Sequence, residues 1–190
     1  MAELDSLDPD TPVVVGVGQA SERLTDPDYE ALGEAALAAR AVGAAISDAG
    51  ASTAAIANAV DTVAAIRSFE ISSPLSASPL GRPDNMPRAV AARTGLDPRK
   101  AIQSITGGQA PQTMLVELAG TIAAGRSSGA VIFGAEVIST VRDLMTKPAD
   151  QRPDFGEQIG GQLEDRGFGL RGITSLPEAR HGLRMPMPQY

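Results

Sequence analysis

Ala101–Glu136 reads AIQSITGGQAPQTMLVELAGTIAAGRSSGAVIFGAE. Ile102–Thr106 has the β-branched character of a short strand, and Gly107-Gly108 makes a tight turn after it. A helix then runs to about Gly125. A second strand, Ala130–Phe133, ends in Gly-Ala-Glu. The order strand, glycine turn, helix, strand predicts a parallel pairing joined by a crossover helix. It aims the helix N-terminus, with its unpaired backbone N–H groups, at whatever lies beyond the first strand.

Upstream, the same alternation continues. Val13–Val17 reads as a strand. A helix over Glu30–Ala49 ends at Gly50, with Leu32, Ala35, Ala39, Val42, Ile46 and Ala49 recurring at helical spacing to give one buried face. A short helix starts at Ser52, Val60–Ile66 is a strand, and Arg88–Thr94 a helix. These residues predict an α/β fold with a mostly parallel sheet over 12–136. Residues 1–11 read as an acidic, disordered tail. Residues 1–34 hold nine acids against Arg23 alone, which leaves the rest of the chain near neutral despite a net charge of −7. Residues 137–190 carry Pro148, Pro153, Pro177, Pro186 and Pro188 and seven glycines. They read as a long, irregular loop excursion.

Thr11–Gln19 (TPVVVGVGQ) with Ser21-Glu22-Arg23, Val60–Ala65 (VDTVAA), Met86–Gly95 (MPRAVAARTG) and the GGQAPQ turn together resemble the N-terminal half of the thiolases. The likeness is to a bacterial subgroup of acetyl-CoA acetyltransferases and thiolase-like proteins related to the sterol-carrier-protein thiolases. It covers about residues 12–136, and GGQAPQ is its most specific piece. The resemblance implies a ligand, a coenzyme A ester, no further cofactor, and a place in acyl-CoA or lipid metabolism in the cytoplasm. It also implies a nucleophilic cysteine at the start of the helix. Counted back from Gly125 and Glu136, that position falls on Gly108, or on Gly107 if the turn slips by one. The chain has no cysteine, and glycine supplies no thiolate. Cysteine-dependent turnover is therefore expected to be absent. The family's catalytic histidine and second cysteine belong to a C-terminal half with no counterpart in these residues.

Three groups of residues are candidates for a site. Gly107, Gly108 and Gln109 form a turn whose N–H groups suit a thioester oxygen or another anion; the same glycines would also serve a tight turn by conformation alone. Arg142, Arg152, Arg171 and Arg184 are candidates for coenzyme A phosphates, because the resemblance implies phosphate contacts from this region, although seven acids are interspersed among its basic residues. Gly16-x-Gly18 after a strand is a partial dinucleotide fingerprint, with Ser21 at the third glycine position and Asp48 late in a helix. His181, the only histidine, lies in the Pro/Gly-rich stretch and reads as a solvated loop residue. Glu117 and Glu136 are candidate buried carboxylates without an assignable partner.

Several classes are excluded by composition. Zero cysteines remove disulfides and thiolate-ligated metal and favour a reducing compartment. No basic stripe interleaved with aromatics supports nucleic-acid binding. No apolar run reaches the length of a membrane span. Aromatic residues are only 3%, so the core is built from Ala, Val, Leu and Ile.

The helix Ala110–Gly125 carries one charge, Glu117, and is apolar on nearly every side through Met114, Leu115, Val116, Leu118 and Ile122. Exposing half of those side chains forfeits on the order of 5 kcal/mol, comparable with a small domain's net stability of ~5–15 kcal/mol. The resemblance implies that this is the central helix of a two-half fold. With the chain closing on MPMPQY, the expectation is a partial chain whose C-terminal half, or a second subunit, covers the helix. Three functional readings stay open: a thiolase-like binder of coenzyme A esters, a cysteine-independent acyltransferase or retro-aldolase on the same fold, and a structural subunit of a heteromer.

Overall fold

Thr62–Ala65 (β1) is buried along its whole length, as only an interior strand of a sheet covered on both faces can be. The computed structural model describes residues 8, 11–72, 78–168, 177, 180 and 181. In it, β1 lies between Lys100–Gln103 (β2) and Ala130–Phe133 (β3), both parallel to it. Glu164–Asp165 (β4) adds to the far side of β2, giving the order β3-β1-β2-β4.

The helices are Glu34–Asp48 (α1), Thr53–Ala59 (α2), Met86–Thr94 (α3), Ala110–Ala123 (α4) and Ile138–Thr146 (α5). Period-two alternation in β1 sorts the core. Val63 and Ala65 pack with Ala35, Ala38, Val42 and Ile46 of α1 and with Ala89 and Val90 of α3. Ala64 and Ile102 turn to the other face, onto Met114 and Leu118 of α4. Local signals mark the helix ends. The Ser52 side chain accepts from Ala55 N at 3.2 Å, the Asn85 side chain accepts from Arg88 N with Pro87 in the first turn, and Gly95 closes α3 at φ 74°.

Three expectations need correction. Helix α1 starts at Glu34 rather than Glu30, because Ala31 sits at φ 57° and the Glu22 carboxylate takes the N–H groups of Glu30 and Leu32 at 3.0 and 2.9 Å. The valine run Val13–Val17 joins no ladder among the described residues, and its valines are 63–69 % exposed. It lies in extended form along α1. Val17 N donates to Asp48 Oδ2 at 2.9 Å, and a Cβ at Gly16 or Gly18 would fall within 2.2 Å of α1 carbonyl oxygens. The glycines of Gly16-x-Gly18 thus allow backbone to meet helix, and Asp48 accepts from that backbone, which accounts for both without a nucleotide.

The third correction concerns the excursion, which contains regular structure. Helix α5 buries Thr140 and Leu144, and residues 153–168 form a strap across α3. Asp84 Oδ1 accepts from Ile159 N and Gly160 N at 2.8 and 3.2 Å, buried Asn85 donates to Gly160 O at 2.9 Å, and Arg93 pairs with Glu157 at 2.5 Å. Within the strap, β4 is two acidic residues made into a strand by its neighbours, with Lys100 on Glu164 at 2.8 Å and Arg67 on Asp165.

Candidate functional site

All four strands point their carboxyl ends the same way, and in open parallel sheets ligands gather at that edge. The register aligns the residues that leave each strand. Ala65, Gln103, Phe133 and Asp165 are paired neighbours, and the ladder runs one step further through Ile66 N to Phe133 O, Ser104 N to Ala65 O and Arg166 N to Gln103 O, at 2.8, 2.8 and 3.0 Å. Three residues beyond the paired positions come Glu136, Ser68, Thr106 and Phe168, in strand order.

The glycine turn comes directly after Thr106 and opens α4, a 14-residue helix. Its two glycines are not equivalent. Gly107 has φ 139°, a backbone conformation that residues with a side chain rarely adopt. At Gly108 a Cβ meets nothing within 4 Å. Within the turn, Ala110 N donates to Gly107 O at 3.0 Å, while nothing among the described residues accepts from the N–H of Gly108 or Gln109. Thr106 Oγ1 is buried and has no hydrogen-bond partner among the described residues. Two free N–H groups thus stand at the N-terminus of α4, next along the chain from an orphan hydroxyl.

One flank is anchored by Arg67. Its guanidinium is buried, donates through Nε to Gly167 O at 2.9 Å and pairs with Asp165. Phe168 lies 4.7 Å from its charge centre, within cation–π range. Arg166 forks onto Glu117 of α4 at 2.5 and 2.6 Å and reaches Glu164 at 2.7 Å. The Arg166 hydrogen bonds hold the Glu117 carboxyl below its ordinary range. Glu117 is therefore the strap's ion-pair partner.

On the other flank, Glu136 Oε1 accepts from Phe69 N at 2.5 Å, and desolvation of its carboxylate, with the nearby charge of Glu70, pushes its pKa up. Glu34, the first residue of α1, accepts from Ser68 Oγ at 3.2 Å. Burial, reinforced by Glu136 and Glu70, raises it to about 7. Only the fold brings Glu34 there; nothing in its sequence surroundings distinguishes it from the other acids of residues 1–34.

The four arginines do not converge. Arg142 lies on the surface of α5, exposed. Arg152 donates to Lys147 O and Met145 O at 2.8 and 2.9 Å, satisfying carbonyls at the C-terminal end of α5. Arg171 and Arg184 lie outside the described residues. His181 is exposed. Among the described residues no three of His, Cys, Asp and Glu gather as metal ligands, and no helix is long and apolar enough to cross a membrane.

No protein-family model matches the chain, and no curated protein matches it. Among solved structures it is similar to a monomeric SCP2-thiolase-like protein type 1 from Mycobacterium smegmatis. The two are 40% identical with a TM-score of 0.55, over 68% of this chain and 24% of that one. The chain thus spans about a quarter of the length of that relative. Parallel α/β architecture and sequence agreement together make this chain a thiolase-fold relative of the SCP2-thiolase-like proteins.

Proposed function

We propose that the turn at the head of α4 receives the thioester carbonyl of a coenzyme A ester, in a protein of acyl-CoA or lipid metabolism whose residues here supply no cysteine nucleophile. The observation that supports it most is the pair of free N–H groups at Gly108 and Gln109 beside the orphan Thr106 hydroxyl. Donors fixed in this way stabilise a developing oxyanion without reorganising. Gly108 is the turn position with room for a side chain, so we assign it, rather than Gly107, to the place of the thiolase cysteine. The phosphates of the coenzyme would meet basic residues of the 137–190 region, with Arg142, Arg171 and Arg184 the candidates left after Arg152 is committed to α5. The uncovered side of α4 would be closed by a C-terminal half or a second subunit.

One observation favours a cysteine-independent enzyme instead. Glu136, beyond β3 and two strands from the turn, and Glu34, on α1, are both held toward the protonated form, and proton transfer in a retro-aldol cleavage of a β-hydroxyacyl-CoA needs such a carboxyl group.

Calorimetry with coenzyme A and acetyl-CoA at low and high ionic strength tests the reading, with intact mass taken on the same samples. The expected result is binding that weakens with salt and no acetyl adduct on the chain. Undetectable binding by the chain with its fold completed removes the coenzyme A reading, and a stable adduct removes the claim that no nucleophile is present.

A further inference from the structure

The chain leaving β1 is fastened by carboxylates from two other places in the sequence and by one of its own. Ser68 Oγ donates to Glu34 on α1 at 3.2 Å, Phe69 N donates to Glu136 beyond β3 at 2.5 Å, and Glu70 accepts from Ser78 Oγ at 3.1 Å. Residues Phe69–Ile71 form a single 3-10 turn with Ile71 buried and Phe69 half exposed. This turn borders a cavity of about 430 Å³ walled by Ala35, Val137, Val141, Leu144 and Phe155, with Glu34 and Glu70 on its polar side. The other charges facing it are Glu30, Arg82, Arg93 and Glu157. Glu30 is paired with Arg40 and Arg93 with Glu157, which leaves Arg82 as the cation acting on Glu34, more weakly than either acid.

The two sides of this contact differ in freedom. The start of α1 is fixed by the Glu22 carboxylate on two N–H groups and by Gly33 packed against Phe155. The 3-10 turn is held by the carboxylates, by the buried Ser68 and Ile71 at its ends, and by two of its own bonds, Ile71 N to Ser68 O at 3.3 Å and Ser72 N to Phe69 O at 3.2 Å. Between those ends Phe69 is exposed and Glu70 borders the cavity, so this turn is the side of the contact on which an added charge bears.

We propose that Ser68–Ile71 is a proton-operated latch at the carboxyl edge of the sheet, seated on α1 and closing the cavity when Glu34 carries a proton, and lifting when Glu34 ionises. Ionisation sets a further negative charge beside Glu136 and Glu70 in a site poor in water. The sign comes from linkage. Glu34 has a pKa of about 7 when the latch is closed against 4.5 for a solvated glutamate, so the closed form binds more protons between those values. The closed-to-open ratio falls as pH rises through that window, by roughly 300-fold in total, and is level above it.

Hydrogen exchange at the Phe69, Ile71 and Ser72 amides from pH 5 to pH 8, corrected for intrinsic exchange, reads the latch directly. The expected result is protection that falls through the window and then levels, with a carboxyl carbon resonance of Glu34 titrating over the same range. Glu34→Gln keeps the shape and removes the titration, so its protection should be independent of pH. Glu136→Gln should lower protection of the Phe69 amide at every pH and, by removing one of the charges that oppose ionisation of Glu34, narrow the pH dependence without abolishing it. A flat wild-type profile, an unchanged profile in Glu34→Gln, or a Glu34 titration displaced from the change in protection each overturns the proposal. The carboxyl titration needs no variant, so the proposal stays open to refutation even if Glu34→Gln folds poorly.

Discussion

Replacing Arg67 with methionine removes a buried charge while leaving most of the side chain's volume. Arg67 donates to Gly167 O, pairs with Asp165 and lies under Phe168, so it is a buried pin joining β1 to the strap. The two polar bonds are worth about 1 kcal/mol each once Asp165, whose side chain is 51% exposed, regains water in the variant. The cation–π contact adds about 0.5–1 kcal/mol. Attachment of residues 164–168 should therefore weaken by about 2–3 kcal/mol, which accelerates opening of that segment roughly 30- to 150-fold. Global stability should fall by less, because the desolvation cost of a buried guanidinium, several kcal/mol, disappears with it. Amide exchange at Arg166, which bonds to Gln103 O at 3.0 Å, reports the local effect, and a thermal melt reports the global one. An Arg166 amide that exchanges within about threefold of wild type would rule out Arg67 as the pin, since the strap would then be held by the β4 ladder and the Arg166 ion pairs alone.

Other substitutions separate conformation from chemistry. Gly107→Ala should cost about 1–3 kcal/mol because of its positive φ, whereas Gly108→Ala should leave the melting temperature nearly unchanged; the reverse order would mean that the turn is misassigned. Met114→Ala empties the contact of α4 with Ala64 and Ile102 and should destabilise by about 2–5 kcal/mol in chemical denaturation. Leu115 and Val116, 43% and 61% exposed on the outer side of α4, should make the chain by itself associate in sedimentation, and Leu115→Gln with Val116→Gln should reduce that association. A dilute monomer that binds no hydrophobic dye would refute the idea that this face awaits a cover.

The parallel sheet was legible because β1 and β3 are short apolar runs separated by helical spacing, and the helix caps Ser52, Asn85 and Gly95 are local signals; β2, read as Ile102–Thr106 from its β-branched residues, falls two residues earlier at Lys100–Gln103, where β1 offers a pairing edge. The valine run failed for a non-local reason. Valine favours extended backbone, which Val13–Val17 adopts, but a strand also needs a neighbour with free N–H and C=O groups, and α1 offers none. Strand β4 failed in the opposite sense, since Glu164-Asp165 has no strand propensity and becomes one through Lys100, Arg67 and the edge of β2. The glycine turn could be found by pattern, but which glycine accepts a side chain depends on the backbone, which takes a positive φ at Gly107 and not at Gly108. Glu34 could not be singled out, because its proton affinity comes from burial, reinforced by Glu136 and Glu70, residues 102 and 36 positions away along the chain.

The turn as an oxygen site is tested most directly by the backbone amide resonances of Gly108 and Gln109 during titration with acetyl-CoA, with free coenzyme A as the reference. Acetyl-CoA should move both resonances downfield, as hydrogen bonding to the thioester oxygen requires, and coenzyme A without the acyl group should not. Saturable binding of acetyl-CoA that leaves these two amides unmoved would contradict the assignment.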